Sequence, residues 1–398
     1  MAVLAGPKAI RFSKLITMHG SAVHDAVLVI DGDRIRSVGH DVPSNTTVID
    51  LRPFVGLPGL IDVHVHMSYY WSRRPGTVPW GEHRPTAATA FLARENARRT
   101  LECGVTTARS LHADDGADFS IRDVVNASAM PGPRLFVAGA GLIRNRLHRP
   151  DADQTKRAAL RQISAGADWL KVFGSTGSGA DVTGFQTFTY EEMKAAVNVA
   201  HLHGKPVAIH SYGPSGARDA VRAGADSIEH AVDLDDDTLS EMVRRKTFYV
   251  PTVDHNRYYA EHAAEFRYGA NDVRRLKEFV ERNLETLRRA IRAGVLIAMG
   301  SDAVFTMFGE NTHELRWFVN AGMTPEQALA TATTNAAALL GVEGKLGVIA
   351  PGAFADVLAV EQDPLANIEA VVSRVRWVMK GGVVVLESDT RRTVTDGT

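Results

Sequence analysis

Four histidines, one lysine and one aspartate recur at the ends of short apolar runs in this chain. His64 and His66 close Ile61-Asp62-Val63-His64-Val65-His66, and Lys171 lies within Trp169-Leu170-Lys171-Val172-Phe173. His210 ends Val207-Ala208-Ile209-His210 and His230 ends Ser227-Ile228-Glu229-His230. Asp302 closes Leu296-Ile297-Ala298-Met299-Gly300-Ser301-Asp302. Imidazole nitrogens and carboxylate oxygens are the ordinary protein ligands of zinc. Several such groups at the same end of successive strands imply one shared cavity built for metal-ion chemistry.

His64 and His66 are two residues apart, so on a strand both side chains point to the same side while Val65 points away. That is how one strand offers two imidazoles to one ion. Taken singly, the pair also reads as exposed polar side chains, His210 and His230 as hydrogen-bonded rim histidines, and Asp302 as a turn or N-cap aspartate. Lys171 is the odd member, because burying a charged ammonium is costly and burial lowers its pKa. It reads either as a lysine snorkelling to solvent or as a neutral amine that takes up carbon dioxide. The resulting carbamate is anionic, has two oxygens, and can bridge two cations. The place of Lys171 between the two pairs of histidines carries the second reading.

The elements that must hold these residues are strands alternating with helices. Strands are expected over 60–66, 105–111, 134–140, 168–173, 206–210, 227–231, 248–253 and 295–302, with helices between them such as 86–102, 190–203, 214–223 and 272–293. Eight strand–helix units over this length match an α/β fold of the (β/α)8 TIM-barrel type, whose usual size is about 250 residues. A doubly wound open sheet is the rival, but it does not bring residues from the first, fourth, fifth, sixth and eighth strands into one ring. The two ends of the chain differ from this middle. Val27-Leu28-Val29-Ile30 turns through Asp31-Gly32-Asp33 into Arg34-Ile35-Arg36-Ser37-Val38, a hairpin signal. Strand-like runs recur at 356–360, 375–379 and 383–386. The expected organisation is therefore a barrel over 58–345 and a small β-sandwich domain assembled from 1–57 and 346–398.

With 398 residues, 45% hydrophobic and 23% charged, the composition is that of an ordinary globular protein with ample core. A formal net charge of −1 implies no nucleic-acid or membrane-surface partner. Cys103 is the single cysteine, so no internal disulfide forms and a reducing compartment is expected. No apolar run approaches the ~20 residues that span a bilayer, and the first residues lack a signal-peptide pattern. A cytoplasmic protein is the expectation.

Pro58-Gly59-Leu60-Ile61-Asp62-Val63-His64-Val65-His66 resembles the opening signature of the metal-dependent amidohydrolase superfamily. The resemblance continues through Gly104-Val105-Thr106-Thr107, Gly166-Ala167-Asp168-Trp169-Leu170-Lys171, the strand-end His210, His230 and Asp302, and Thr324-Pro325-Glu326-Gln327-Ala328-Leu329 with Ala332-Thr333-Thr334-Asn335-Ala336-Ala337. Gly347-Val348-Ile349-Ala350-Pro351-Gly352-Ala353-Phe354-Ala355-Asp356 and Asp363-Pro364-Leu365 resemble the return to the small β-domain. The likeness covers nearly the whole chain, with the motifs in the family's order. Within the superfamily it points to the binuclear subgroup with a carboxylated lysine, which includes dipeptidases acting on Xaa-Pro or Xaa-Arg/Lys and ochratoxin-hydrolysing amidases.

The resemblance implies two divalent ions, with zinc expected. His64, His66 and Asp302 hold one, His210 and His230 the other, and N6-carboxylated Lys171 bridges them. It further implies attack by a hydroxide shared between the ions, with Asp302 as the catalytic proton acceptor. The implied substrate is a small molecule, an N-acyl amino acid or dipeptide with a free carboxylate, and a homo-oligomer is expected by likeness. Tyr212, two residues after His210, is assigned to the substrate. Arg257, in Asp254-His255-Asn256-Arg257-Tyr258-Tyr259, is a carboxylate clamp or a solvent-facing loop arginine. Tyr69 and Trp71, in the long first loop that continues through Trp80 and His83, either hold an acyl group or fill a subunit interface.

Two segments depart from the subgroup. Its Arg-Asp-Leu-Gly-Gly pattern is here Arg109-Ser110-Leu111-His112-Ala113, and its Gly-Gly-His-Gly loop is here Gly139-Ala140-Gly141-Leu142-Ile143-Arg144-Asn145-Arg146. His112 is the candidate replacement for the missing loop histidine. The departures weigh against dipeptidase activity more than against hydrolysis, and leave cyclic-amide (imidazolone-like), lactone or ester cleavage as the alternative. A non-catalytic scaffold of the same fold is disfavoured, because such relatives lose ligands and this chain keeps the set.

Overall fold

The structure, a computed structural model, describes residues 7–79, 84–145 and 147–388. Trp80, Gly81, Glu82, His83 and Arg146, named above in two loops, lie outside the described residues.

The N-terminal segment forms β1 (Lys8–Leu15), β2 (Val23–Asp31), β3 (Arg34–Gly39), β4 (Thr47–Asp50) and β5 (Val55–Pro58). The Asp-Gly hairpin joins β2 to β3 as expected, with Asp31 paired to Arg34 and Gly32 in the left-handed region its turn needs. Seven further strands follow: β6 (Leu60–Val65), β7 (Val105–Ser110), β8 (Arg134–Val137), β9 (Leu170–Phe173), β10 (Val207–His210), β11 (Ser227–Glu229) and β12 (Phe248–Val250). Helices alternate with them: α1 (Thr86–Glu102), α2 (Ala117–Asn126), α3 (Ala152–Ser164), α4 (Tyr190–Leu202), α5 (Pro214–Ala223), α6 (Asp236–Arg245), α7 (Val253–Glu261), α8 (Ala270–Ala293) and α9 (Glu314–Asn320). The chain ends on β13 (Val357–Val360), β14 (Val375–Lys380) and β15 (Val383–Glu387). Strands from both ends pair in one sheet of order β15-β14-β13-β5-β1-β2-β3, with β4 alongside β1. Its apolar side gathers Ile10, Phe12, Leu28, Val357 and Trp377.

The helices sit where capping chemistry puts them. Thr189 and Glu192 form a reciprocal capping box at the start of α4, and Asp151 and Asp235 accept from N3 at α3 and α6. α5 opens with Pro214 and is closed by Gly224 in the left-handed conformation.

The seven middle strands are parallel, in sheets of order β6-β7-β8 and β12-β11-β10-β9. Short backbone contacts join the two sheets at one side. Asp168 N donates to Val137 O, and Leu142 N to Lys171 O. On the other side segment 295–303 lies between β12 and β6, through Tyr249 N to Leu296 O, Val63 N to Met299 O and Asp302 N to His64 O. That segment was expected as an eighth strand, yet it makes only isolated bridges. Its donors are spent elsewhere: Met299 N on Thr331 O, and Ser301 N on the Asp62 carboxylate. Leu170, Val172, Ile209 and Ile228 pack with helix residues such as Leu101, Ala196 and Ala217, while Val63, Trp169, Ala208, Val250 and Ala298 share a separate cluster.

Asp62 ties this arrangement together. Its two oxygens accept from His64 N, Ser301 N, Ser301 Oγ and Asn311 Nδ2 at 2.6–3.1 Å, all buried. Burial pushes its carboxyl up to about 6, against the pull of those bonds. Asp62→Ala leaves four buried donors without their acceptor, so it should lower stability by about 3 kcal/mol; urea unfolding that stays at the wild-type midpoint contradicts this role.

Candidate metal centre

Because the middle strands are parallel, their C-terminal ends open on one side. Register sets what meets there: Lys171, Ala208 and Ser227 form one row, and Phe173, His210 and Glu229 the next. Three of the converging residues sit just beyond strand ends in a backbone conformation that non-glycine residues rarely adopt. These are His112, His230 and Asp302, with φ of 142°, 71° and 53°. Thr252 beside them has φ of 50°. Such strain persists only where surrounding contacts hold it, and here it turns side chains inward. Gly300 allows the close approach of segment 295–303, since a Cβ there would lie 2.7 Å from the His64 Cβ.

The hydrogen-bond partners decide where the imidazole protons sit. His64 Nδ1 lies 2.7 Å from Glu229 Oε2, and His66 Nδ1 lies 3.3 Å from the His112 carbonyl. A carboxylate and a carbonyl only accept, so both Nδ1 atoms carry the proton and both Nε2 atoms present lone pairs. Those Nε2 atoms face one oxygen: Asp302 Oδ1 is 3.5 Å from His64 Nε2 and 3.0 Å from His66 Nε2. Neither contact has hydrogen-bond geometry, and Oδ1 has no hydrogen-bond partner among the described residues. Acceptor atoms that converge in this way form a donor set that a cation would join. His64, His66 and Asp302 can hold one ion together.

The other residues close around this trio. Lys171 Nζ is 3.5 Å from His64 Nε2 and buried. The His210 and His230 rings are 4.7 Å apart, and the His64 and His230 rings 4.8 Å. His210 Nε2 is buried with no hydrogen-bond partner among the described residues, whereas His230 Nδ1 bonds Thr252 Oγ1 at 2.6 Å. Burial, reinforced by Lys171, holds His64 and His210 neutral, bringing His210 down to about 3. Burial and then His210 hold His230 well below its ordinary value. Burial also brings the Lys171 ammonium down to about 8 against the pull of Glu229 and Asp302.

Behind the cluster lies a support that the sequence did not point to. Arg109, fully buried, donates to Glu229 Oε1 at 3.1 Å and to the Val63 carbonyl, and its guanidinium sits 4.2 Å over the Trp169 ring. Glu229 thus spans Arg109 and His64, the carboxylate–histidine support typical of metal sites. The signal available was an acid inside an otherwise apolar strand. His255 was also missed: its Nε2 lies 3.2 Å from Asp302 Oδ2.

The remaining assignments divide. Tyr212 stacks on His210 at 5.0 Å and receives Asn256 Nδ2 at its hydroxyl. His112 Nδ1 accepts from Gly141 N, so its Nε2 bears the proton and faces Asp114 Oδ1 at 3.5 Å. Tyr69 stacks on His66 at 4.9 Å and on Phe305 at 5.7 Å, and beyond it lies a cavity of about 410 Å3 lined by Tyr70, Arg84, Asp114 and Phe305. Trp71 instead turns its N–H to Thr77 Oγ1.

Arg257 is a correction. It sits on α7, not on a loop, and its guanidinium bonds Asp254, Glu261 and Glu310. Those carboxylates outweigh burial and raise its pKa, so the group is already neutralised and is withdrawn as a clamp. The nearby trio of Asp254, Glu310 and His313 has ligand-like spacing, but Arg257 supplies its positive charge. Cys103 gives its S–H to Thr100 O, and burial pushes its thiol up to about 12, which favours the unreactive protonated form.

Residues 55–385 match the model of the amidohydrolase family. The chain belongs to the amidohydrolase family. This amidohydrolase is 29% identical to an ochratoxinase of Aspergillus niger, over 92% of its own length and 84% of that protein. Its fold superposes on a Xaa-Pro dipeptidase with methionine bound in the active site, at a TM-score of 0.85 and 30% identity, covering 95% and 99% of the two chains. A prolidase complexed with N-methylphosphonate-L-proline gives a TM-score of 0.85 at 26% identity, covering 96% and 100%. The protein is an enzyme that hydrolyses amide bonds. No helix among the described residues is long and apolar enough to cross a membrane.

If Glu229 holds the His64 tautomer, Glu229→Gln should weaken metal affinity about 10–100-fold, and the loss of its charge beside buried Arg109 should lower the melting temperature. Metal titration read against thermal unfolding checks this; wild-type affinity in the variant removes Glu229 from the site.

Proposed function

We propose that this amidohydrolase cleaves the amide bond of a dipeptide or N-acyl amino acid with a free carboxylate, at two divalent ions held by its strand-end residues. In this reading His64, His66 and Asp302 hold one ion and His210 and His230 the other, with a carboxylated Lys171 between them and zinc as the metal. The observation that carries it is the convergence of acceptor atoms: the Nε2 of His64 and His66, together with His210 Nε2 and Asp302 Oδ1, which have no hydrogen-bond partner among the described residues. A cation is the partner that such a donor set fits. The relatives named above, an ochratoxinase and a Xaa-Pro dipeptidase, support the substrate class. The same reading takes the parallel strands over 58–345 as a closed (β/α)8 barrel and the terminal sheet as a small sandwich domain.

Divalent ions bound there would polarise the substrate carbonyl and lower the pKa of water towards about 7. The chain's own groups do the rest. Lys171, with its pKa brought down to about 8, has a neutral fraction able to attack carbon dioxide, lose a proton and become a carbamate. Asp302 accepts the proton of the attacking water and returns it to the leaving amine. The His112 Nε2–H is a donor for the developing oxyanion, in place of the absent loop histidine. Tyr212 faces the amine side of the substrate, and the cavity beyond Tyr69 takes the acyl side.

His64→Ala and His230→Ala should each lose bound zinc and activity together. Asp302→Asn should keep much of its metal while kcat falls by about 10²–10⁴. Elemental analysis paired with hydrolysis of Xaa-Pro dipeptides and N-acetyl amino acids separates these outcomes, and full activity in metal-free enzyme would falsify the reading. Lys171→Ala should be inactive and partly restored by short carboxylic acids; no restoration counts against the carbamate.

A further inference from the structure

The carboxylate of Asp302 has two faces. Oδ1 looks at the imidazoles of His64 and His66, and Oδ2 looks at His255 Nε2 at 3.2 Å, with His230 Nδ1 farther off at 3.8 Å. His230 Nδ1 is already bonded to Thr252 Oγ1. His255 Nε2 is therefore the nearer of the two imidazole nitrogens to the outer oxygen.

The position of His255 is fixed by an unusual helix start. Thr252, at the N-cap of α7, has left-handed φ and makes no side-chain cap. Glu314, fully buried on α9, replaces it by accepting from Val253 N and Asp254 N at 2.9 and 2.8 Å. That distant cap sets the first turn of α7, which then delivers three neighbouring residues to three tasks. Asp254 holds Arg257 and the Trp317 N–H, Asn256 reaches the Tyr212 hydroxyl, and His255 faces Asp302. The His255 ring is buried edge-to-face on Tyr259 at 4.7 Å, and its Nδ1 has no hydrogen-bond partner among the described residues. An apolar ring would pack in this place without leaving a buried nitrogen unsatisfied. The contact with Asp302 is what an imidazole adds.

We infer that His255 is a positioning residue, which holds Asp302 Oδ2 so that Oδ1 stays turned toward the ion site and the attacking water. This rests on the proposed metal-dependent hydrolysis. It assigns His255 no contact with metal or substrate.

Side-chain geometry makes the test sharp. Nε2 of a glutamine falls near Nε2 of the histidine it replaces, whereas phenylalanine keeps the ring and loses the N–H. Three variants, His255→Gln, His255→Phe and His255→Ala, are compared with wild type for zinc affinity by chelator competition, for kcat and KM on the best Xaa-Pro or N-acetyl substrate, and for Tm. The expected pattern is His255→Gln within about threefold of wild type. His255→Phe and His255→Ala should lose about 10–100-fold in zinc affinity and in kcat, with KM little changed. Free imidazole should partly restore His255→Ala, which keeps the test decisive if the phenylalanine variant does not fold. A packing role predicts the reverse order, with His255→Phe tolerated and His255→Gln impaired, and that result overturns the inference. An active, zinc-binding wild type whose three variants match it also overturns the inference but leaves the site intact. A wild type that neither binds zinc nor hydrolyses these amides sinks the reading on which it rests.

Discussion

The site depends on where two protons are held. His64 and His66 donate through Nδ1 to oxygens that can only accept, the Glu229 carboxylate and the His112 carbonyl, so their Nε2 lone pairs must point at each other's neighbour, Asp302. Without a cation this is an electrostatically unfavourable arrangement in a buried place. Acceptors facing acceptors in low dielectric cost free energy. The rest of the molecule can be read as the apparatus that keeps them there. Arg109 holds Glu229, Asp62 ties β6 to segment 295–303, and Glu314 sets the start of α7.

That apparatus is spread across the fold rather than gathered at the rim. Arg109 reaches Glu229 from β7 to β11, and the guanidinium lies on Trp169. Asp62 reaches Ser301 and Asn311. Each is a buried charge with its partners satisfied, the one condition under which such groups are tolerated inside a protein. Parallel strands supply the common end, and residues at their C-terminal tips bend out of regular backbone to face inward. A single chain of dependence runs from strand register, through buried charge pairs, to the direction of two nitrogen lone pairs.

Much of this was legible in the residues themselves. His64, His66, Lys171, His210, His230 and Asp302 stand out in the sequence as metal-ligating types set in or at the ends of short apolar runs, and the structure brings them into one cluster. Helices at 86–102 and 214–223 coincide with α1 and α5, the latter bounded by Pro214 and Gly224. Glu229, Arg109 and His255 were not singled out, because each acts through a partner far away in sequence. The start of α7 carries no helix signal in the sequence, since it lacks a local N-cap and takes its cap from Glu314. Arg257 looked available for a substrate carboxylate because its three acidic partners lie three, four and fifty-three residues away, and their convergence exists only in the fold.

The lone pairs can be interrogated directly. Crystals grown with zinc and bicarbonate and measured on both sides of the zinc absorption edge will locate any bound ions. The account predicts one anomalous peak within coordination distance of His64 Nε2, His66 Nε2 and Asp302, a second beside His210 and His230, and extra density continuous with Lys171 Nζ. Zinc found only at surface histidines, with these imidazoles unchanged and Lys171 bare, contradicts it.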